Sequence, residues 1–187
     1  DRNPIISSAS KTTWGVGQST SIVVNDSTLR VFYSNSGGGF TYRDGDLRDL
    51  NKIKWSEEKF IKNMPSNNYP AFSKKNVYMV SERRENMDKL IPTWVGNVAQ
   101  VYYLPLSEDL STDGSKWHKV GAVTPKESGF PRNHNPGILT DPKGYILNDD
   151  ELIMYFTPAM TGENWLWSYD MYSAKFDLKT YFNNAKK

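Results

Sequence analysis

The feature that most constrains this chain is a phrase that occurs three times. Residues 29–34 (LRVFYS), 77–81 (VYMVS) and 152–157 (LIMYFT) are runs of aromatic, aliphatic and β-branched residues that close on Ser or Thr. Each follows a glycine- or proline-marked segment that itself reads as a strand: 17–24 (GQSTSIVV), 69–73 (YPAFS) and 133–140 (NHNPGILT). Short runs of this kind, bounded by Gly, Pro, Asn and Asp, are strands and turns. A self-similar unit built only of short strands is the sequence pattern of a β-propeller. The chain is therefore predicted to be all-β, one propeller-type domain with about three four-stranded blades over residues 14–62, 66–124 and 130–182. Little helix is expected beyond single turns.

The third unit stops early. After Tyr181 and Phe182 no Trp-bearing outer strand follows, whereas the first two units carry Trp55 and Trp117 in that place. A closed ring usually needs at least about four blades. The expectation is thus part of a five-bladed propeller, completed by missing blades, a partner chain or self-association. The strand-like segment 4–7 is either the outer strand of an upstream blade or the strand that completes the third.

Hydrophobic residues make up 37% of the 187, yet 13% are aromatic. That balance suits short strands packed ring on ring, and equally a surface that stacks on sugars. The 23 basic and 21 acidic residues are spread along the chain without a basic block, which argues against a nucleic-acid partner. No segment approaches the roughly 18 consecutive apolar residues of a membrane-spanning helix. There is no cysteine, so a disulfide framework and a thiolate metal site are excluded while the compartment stays open. The expected location is secreted or extracytoplasmic.

In a propeller the start of each inner strand and the loop after each second strand lie on one face. Trp14, Gln18, Tyr69, Glu82, Arg83, Arg84, Trp94, Arg132, His134, Asn135, Glu163 and Trp165 are gathered there on this reading. Rings for C–H faces, amides and guanidinium groups for hydroxyls, and carboxylates for proton transfer are the parts a sugar site needs. Glu82, directly after an apolar strand, is the candidate general acid, with Glu163 the second choice. The alternative for Glu82 is a salt bridge to Arg83, Arg84 or another neighbour. His134 reads either as a ligand of a central cation or as a hydrogen-bonded structural residue. Arg132 reads as a carboxylate-binding or salt-bridging residue, and His118 beside Trp117 as structural. Gln18, Tyr69 and His134 each head an inner strand and are expected near a common axis.

The phrase from Gly15 to Ser21 followed by residues 29–34 resembles the blades of furanosidase-type five-bladed propellers: arabinanases, arabinofuranosidases, invertases and levansucrases. Residues 133–139 are similar to the late blade of that group that carries a near-axial histidine. The resemblance implies a glycoside hydrolase-like protein and possible use of calcium through His134. One departure matters: the family opens an early inner strand with a catalytic aspartate, whereas Gln18, Tyr69 and His134 stand in those places here. This chain alone is therefore expected to lack a complete catalytic pair, since glycoside hydrolysis uses two carboxyls. Residues 69–72 with 80–84 also resemble a sialidase blade, and residues 111–117 are similar to the Asp-box turn, which stabilises blades. The expected partner is a glycan, bound or processed at the axial face. The alternatives are a non-catalytic, lectin-like module or a protein-interaction propeller.

Overall fold

The computed structural model describes residues 16–35, 39–64, 69–87, 89, 95–110, 113–159 and 170–185, with the side chains of 16, 18, 35 and 39 outside that description. Its strands are β1 (Val16–Asn25), β2 (Thr28–Asn35), β3 (Gly39–Asp46), β4 (Lys54–Trp55), β5 (Lys59–Ile61), β6 (Tyr69–Phe72), β7 (Asn76–Arg83), β8 (Val98–Pro105), β9 (His118–Val123), β10 (Arg132–Ile138), β11 (Glu151–Ala159) and β12 (Tyr172–Asp177). Two short helices, α1 (Pro125–Ser128) and α2 (Leu178–Asn184), complete the list. The strands form three antiparallel sheets in simple meander order: β1-β2-β3-β4 with β5 also on β3, then β6-β7-β8-β9, then β10-β11-β12. The fold is all-β, as the repeated phrase requires. The three phrases became β2, β7 and β11, and the segments before them became β1, β6 and β10.

The second unit has the expected four strands, and the other two differ. In the first sheet both β4 and β5 pair with β3, at opposite ends of it. The third sheet has three strands among the described residues, and the chain then turns into α2. That helix, longer than the single turns expected, starts because the Asp177 side chain accepts from the Thr180 N–H (2.8 Å) and caps its first turn. It buries Leu178 in the core and lays Phe182 edge-on to Tyr103.

The second sheet lies between the other two. Alternate residues of a strand face opposite sides, and β7 divides accordingly. Val77 and Met79 join Ile22, Phe32, Phe40 and Tyr42 of the first sheet in one apolar cluster. Tyr78 and Val80 join Leu152, Met154 and Phe156 of the third sheet in another. Residues 77–82 of β7 are consequently all buried, whereas β11 alternates between buried and half-buried positions. Each fully buried Leu, Met or Phe contributes about 1.5–3 kcal/mol, so these two clusters hold the sheets face to face.

The loop between β10 and β11 joins all three sheets at one end. The Val23 N–H of β1 donates to the Lys143 carbonyl (3.1 Å), and the Phe72 N–H of β6 donates to the Gly144 carbonyl (2.9 Å). Ile146 returns a bond to the Phe72 carbonyl (2.8 Å). Gly144 has φ +91°, and a Cβ there would sit 2.4 Å from Ile22 Cγ2, so both backbone and space call for glycine. Residues 113–116 link the second sheet to the first. Asp113 accepts from Ser115 N–H (2.8 Å) and from the Asn63 amide (2.7 Å), tying a 3₁₀ turn at Gly114–Lys116 to the end of the first sheet.

Candidate functional site

At the other end of the same strands the second and third sheets meet through charged side chains. Glu82 continues the Tyr78–Val80 row of β7, so the strand period aims its carboxylate at the third sheet. Arg132 and His134, two apart at the start of β10, share a face and converge on it. Arg132 Nη2 lies 3.1 Å from Glu82 Oε1, and His134 Nδ1 lies 2.5 Å from the same oxygen. Arg132 Nη2 and His134 Nδ1 are themselves 2.6 Å apart. The Glu82 and Arg132 side chains are each 3% exposed, and that of His134 is 17% exposed.

The chain before β8 packs closely behind this cluster. Arg132 Nε donates to the Gly96 carbonyl (2.9 Å), and the Asn133 N–H donates to the Asn97 carbonyl (3.1 Å). Asn133 Nδ2 reaches the Asn97 and Val123 carbonyls at 3.2 and 3.1 Å. A Cβ on Gly96 would lie 2.9 Å from Glu82 Cβ and 3.2 Å from the Arg83 backbone, so glycine permits the approach that puts its carbonyl on Arg132. Burial pushes the Arg132 guanidinium below its usual pKa, while the charge and hydrogen bond of Glu82 pull it partly back.

Beside the ionic cluster lies a polar patch. β10 has an irregularity in its pairing with β11 between His134 and Gly137, and there Asn135 takes a left-handed φ of 51°. This brings Asn135 Oδ1 to the Tyr69 hydroxyl, which donates to it at 2.9 Å. Asn135 is exposed and Tyr69 half-buried. Burial pushes the Tyr69 phenol up, and the nearby Tyr155 and Glu82 push it the same way. Tyr155 lies over Gly137, where a Cβ would meet its hydroxyl oxygen.

The structure thus brings together Tyr69, Glu82, Arg132, His134 and Asn135. Arg83, adjacent to Glu82 and so turned to the opposite side of β7, pairs with Glu85 (2.9 Å). Arg84 donates to the Val95 carbonyl (3.3 Å). Trp14, Trp94, Glu163 and Trp165 lie outside the described residues, and of Gln18 only the backbone, within β1, is described. His118, at the start of β9, stacks on Tyr103 of β8 with centroids 4.9 Å apart and takes no part in the cluster described above. No group of three or more potential metal-ligating His, Asp or Glu side chains occurs among the described residues. Sequence reasoning missed Gly96, Asn97 and Tyr155. The signal for Gly96 was its place just before an apolar strand, where a close backbone approach is common.

The class defined so far is an all-β protein of three packed antiparallel meanders, with a buried Glu–Arg–His cluster at one end. No protein-family model matches the chain, and no curated protein or solved structure matches it either.

Proposed function

We propose that the protein is a carbohydrate-active module, glycoside hydrolase-like in organisation, that binds or acts on glycans at the end carrying Glu82, Arg132, His134, Tyr69 and Asn135. One observation carries the reading: a buried carboxylate held by a guanidinium and an imidazole (3.1 and 2.5 Å) beside an exposed amide and a phenol. Planar amides and phenols match the hydroxyls of a sugar, and ring faces match its C–H surface. The strand pattern that resembles furanosidase-type propellers supports the same substrate class, with arabinan- or fructan-type furanosides first in line.

Binding without turnover is the form the reading takes for these 187 residues. Hydrolysis needs two carboxyls about 5–5.5 Å or about 6.5–9.5 Å apart, and Glu82 is already committed to Arg132 and His134. A glycan array with the purified chain, followed by hydrolysis assays on arabinan, fructan and sialyl conjugates, tests both parts. The expected result is glycan binding that Asn135→Ala weakens, with no turnover. Absence of binding to every glycan class would sink the proposal, and hydrolysis abolished by Glu82→Gln would restore Glu82 as a general acid.

A further inference from the structure

The structure assigns the groove between the first two sheets to a second copy of this chain, docked about a two-fold axis. This surface lies apart from the Glu82 end, and nothing in its chemistry depends on the glycan reading.

The groove lies where β1, β6 and the turn after β8 come together. Ile22, Val24, Phe72, Leu106 and Tyr145 give an apolar lining to a cleft of about 320 Å³. Val24 and Leu106 line it while 37% and 40% exposed. The apolar surface continues along the β10–β11 loop, whose Lys143 and Gly144 carbonyls accept from the Val23 and Phe72 N–H groups. There an antiparallel bridge between Thr140 and Ile146 sets Leu139 across from Leu147, and these two are 42% and 60% exposed. Exposed aliphatic residues scattered singly need no partner, but neighbours gathered at one end mark an interaction surface. The Tyr42 ring in the same cleft is 2% exposed, with Arg30 Cζ 4.4 Å and Lys59 Nζ 5.7 Å from its centroid. What the surface offers is therefore mainly aliphatic, which suits a protein partner better than the C–H face of a sugar.

Charge selects the occupant. The first sheet contributes a basic lip, Arg30 and Lys59, and the turn after β8 an acidic lip, Glu108 and Asp109. Arg30 is held by Asp44 through two hydrogen bonds (2.7 and 2.8 Å). Neither Lys59 nor Glu108 forms an ion pair among the described residues. The acidic lip repels an anionic bilayer, and a partner of one sign meets a like charge on one lip or the other. A second copy, turned about a two-fold axis running along the groove, sets each acidic lip on the other copy's basic lip. Each charge pair then occurs twice and the apolar linings face each other, as an isologous contact requires.

Sedimentation equilibrium of the full 187-residue chain is the test. The wild type is expected to show monomer and dimer, the dimer fraction rising with protein concentration and falling as salt is added. Leu106→Ser, at an exposed position, is expected to leave the thermal unfolding curve in place and remove the dimer. Glu108→Lys and Lys59→Glu each set like charges together twice per dimer and should weaken dimerisation about tenfold. The double variant Lys59→Glu/Glu108→Lys restores opposite charges across the axis and should recover most of the lost affinity. A chain that stays monomeric up to its solubility limit would overturn the assignment. So would a dimer indifferent to Leu106→Ser, or a double variant as weak as the two single ones. Binding to phosphatidylcholine–phosphatidylglycerol vesicles that Leu106→Ser abolishes would give the surface to a membrane and equally refute the docked copy.

Discussion

The two ends of the stacked strands are held by different chemistry. At the end formed by the β10–β11 loop, backbone groups of β1, β6 and the loop hydrogen-bond to one another, and Gly144 lets the loop lie against Ile22. At the other end β7 and β10 meet through Glu82, Arg132 and His134, with Tyr69 and Asn135 alongside. Backbone bonds of the first kind need no particular side chain apart from the glycine at position 144. The second arrangement depends on three particular ionisable groups placed where their charges must be satisfied internally. A structure does not need buried charge to join two sheets, because apolar residues of similar volume often do so equally well or better. On the proposed glycan reading, the cluster serves the end that would hold the ligand, and the backbone lacing holds the far end.

The largest expected effect lies in the ionic cluster. Arg132→Ala leaves Glu82 buried without its guanidinium and should cost about 3–5 kcal/mol in urea unfolding. The double variant Glu82→Leu/Arg132→Met removes both charges and should recover much of that stability while losing glycan binding. If the double variant is as unstable as the single one, the contrast between the two ends fails, because the cluster would then be needed for folding itself.

Gly144→Ala tests the laced end. Its left-handed backbone alone should cost about 1–2 kcal/mol, with the close contact to Ile22 adding to that. Glycan affinity of the folded fraction should stay unchanged, and a loss of affinity would show that the two ends are not independent. Tyr69→Phe removes one hydrogen bond, worth about 0.5–1.5 kcal/mol, and frees Asn135. It should lower thermal stability slightly and weaken binding more than it weakens the fold, as measured by calorimetry on the same sample.

The smallest effect belongs to Asp113, outside both ends. The Asn63 amide and the Ser115 N–H hold its carboxyl well below the usual 3.8, at about 2. A depressed carboxyl contributes stability that is complete above 3.8 and is lost as pH falls through about 2. Acid unfolding of Asp113→Asn should lack that component, so its curve and that of the wild type should approach each other between these limits. Parallel curves would contradict the Asn63–Asp113 contact.

Much of the fold was legible because period and punctuation agree. The phrases at 77–81 and 152–157 carry enough aromatic and β-branched residues to be strands wherever they pack. β5 was not legible, since the exposed Lys59 and Phe60 in a charged stretch give no alternation to read. Helix α2 was hidden for a different reason: Tyr181 and Phe182 look like strand residues, and the capping role of Asp177 depends on where β12 ends. In the site, Glu82, Arg132 and His134 could be named from their places at strand ends. Their pairing could not, because it depends on the packing of β10 against β7. The strand period did carry one usable signal, that Glu82 and Arg83 point to opposite faces, which excludes the adjacent arginine as the inward partner.

The central claim is that the Glu82 end, not the laced end, holds a glycan. Backbone chemical-shift mapping during titration with an arabino-oligosaccharide, repeated with a fructo-oligosaccharide, tests it most directly. The account predicts perturbations concentrated at Tyr69, Glu82 and residues 132–135, with residues 140–146 unmoved and the response lost in His134→Ala. Perturbations centred on residues 140–146, or an unchanged response in His134→Ala, would contradict it.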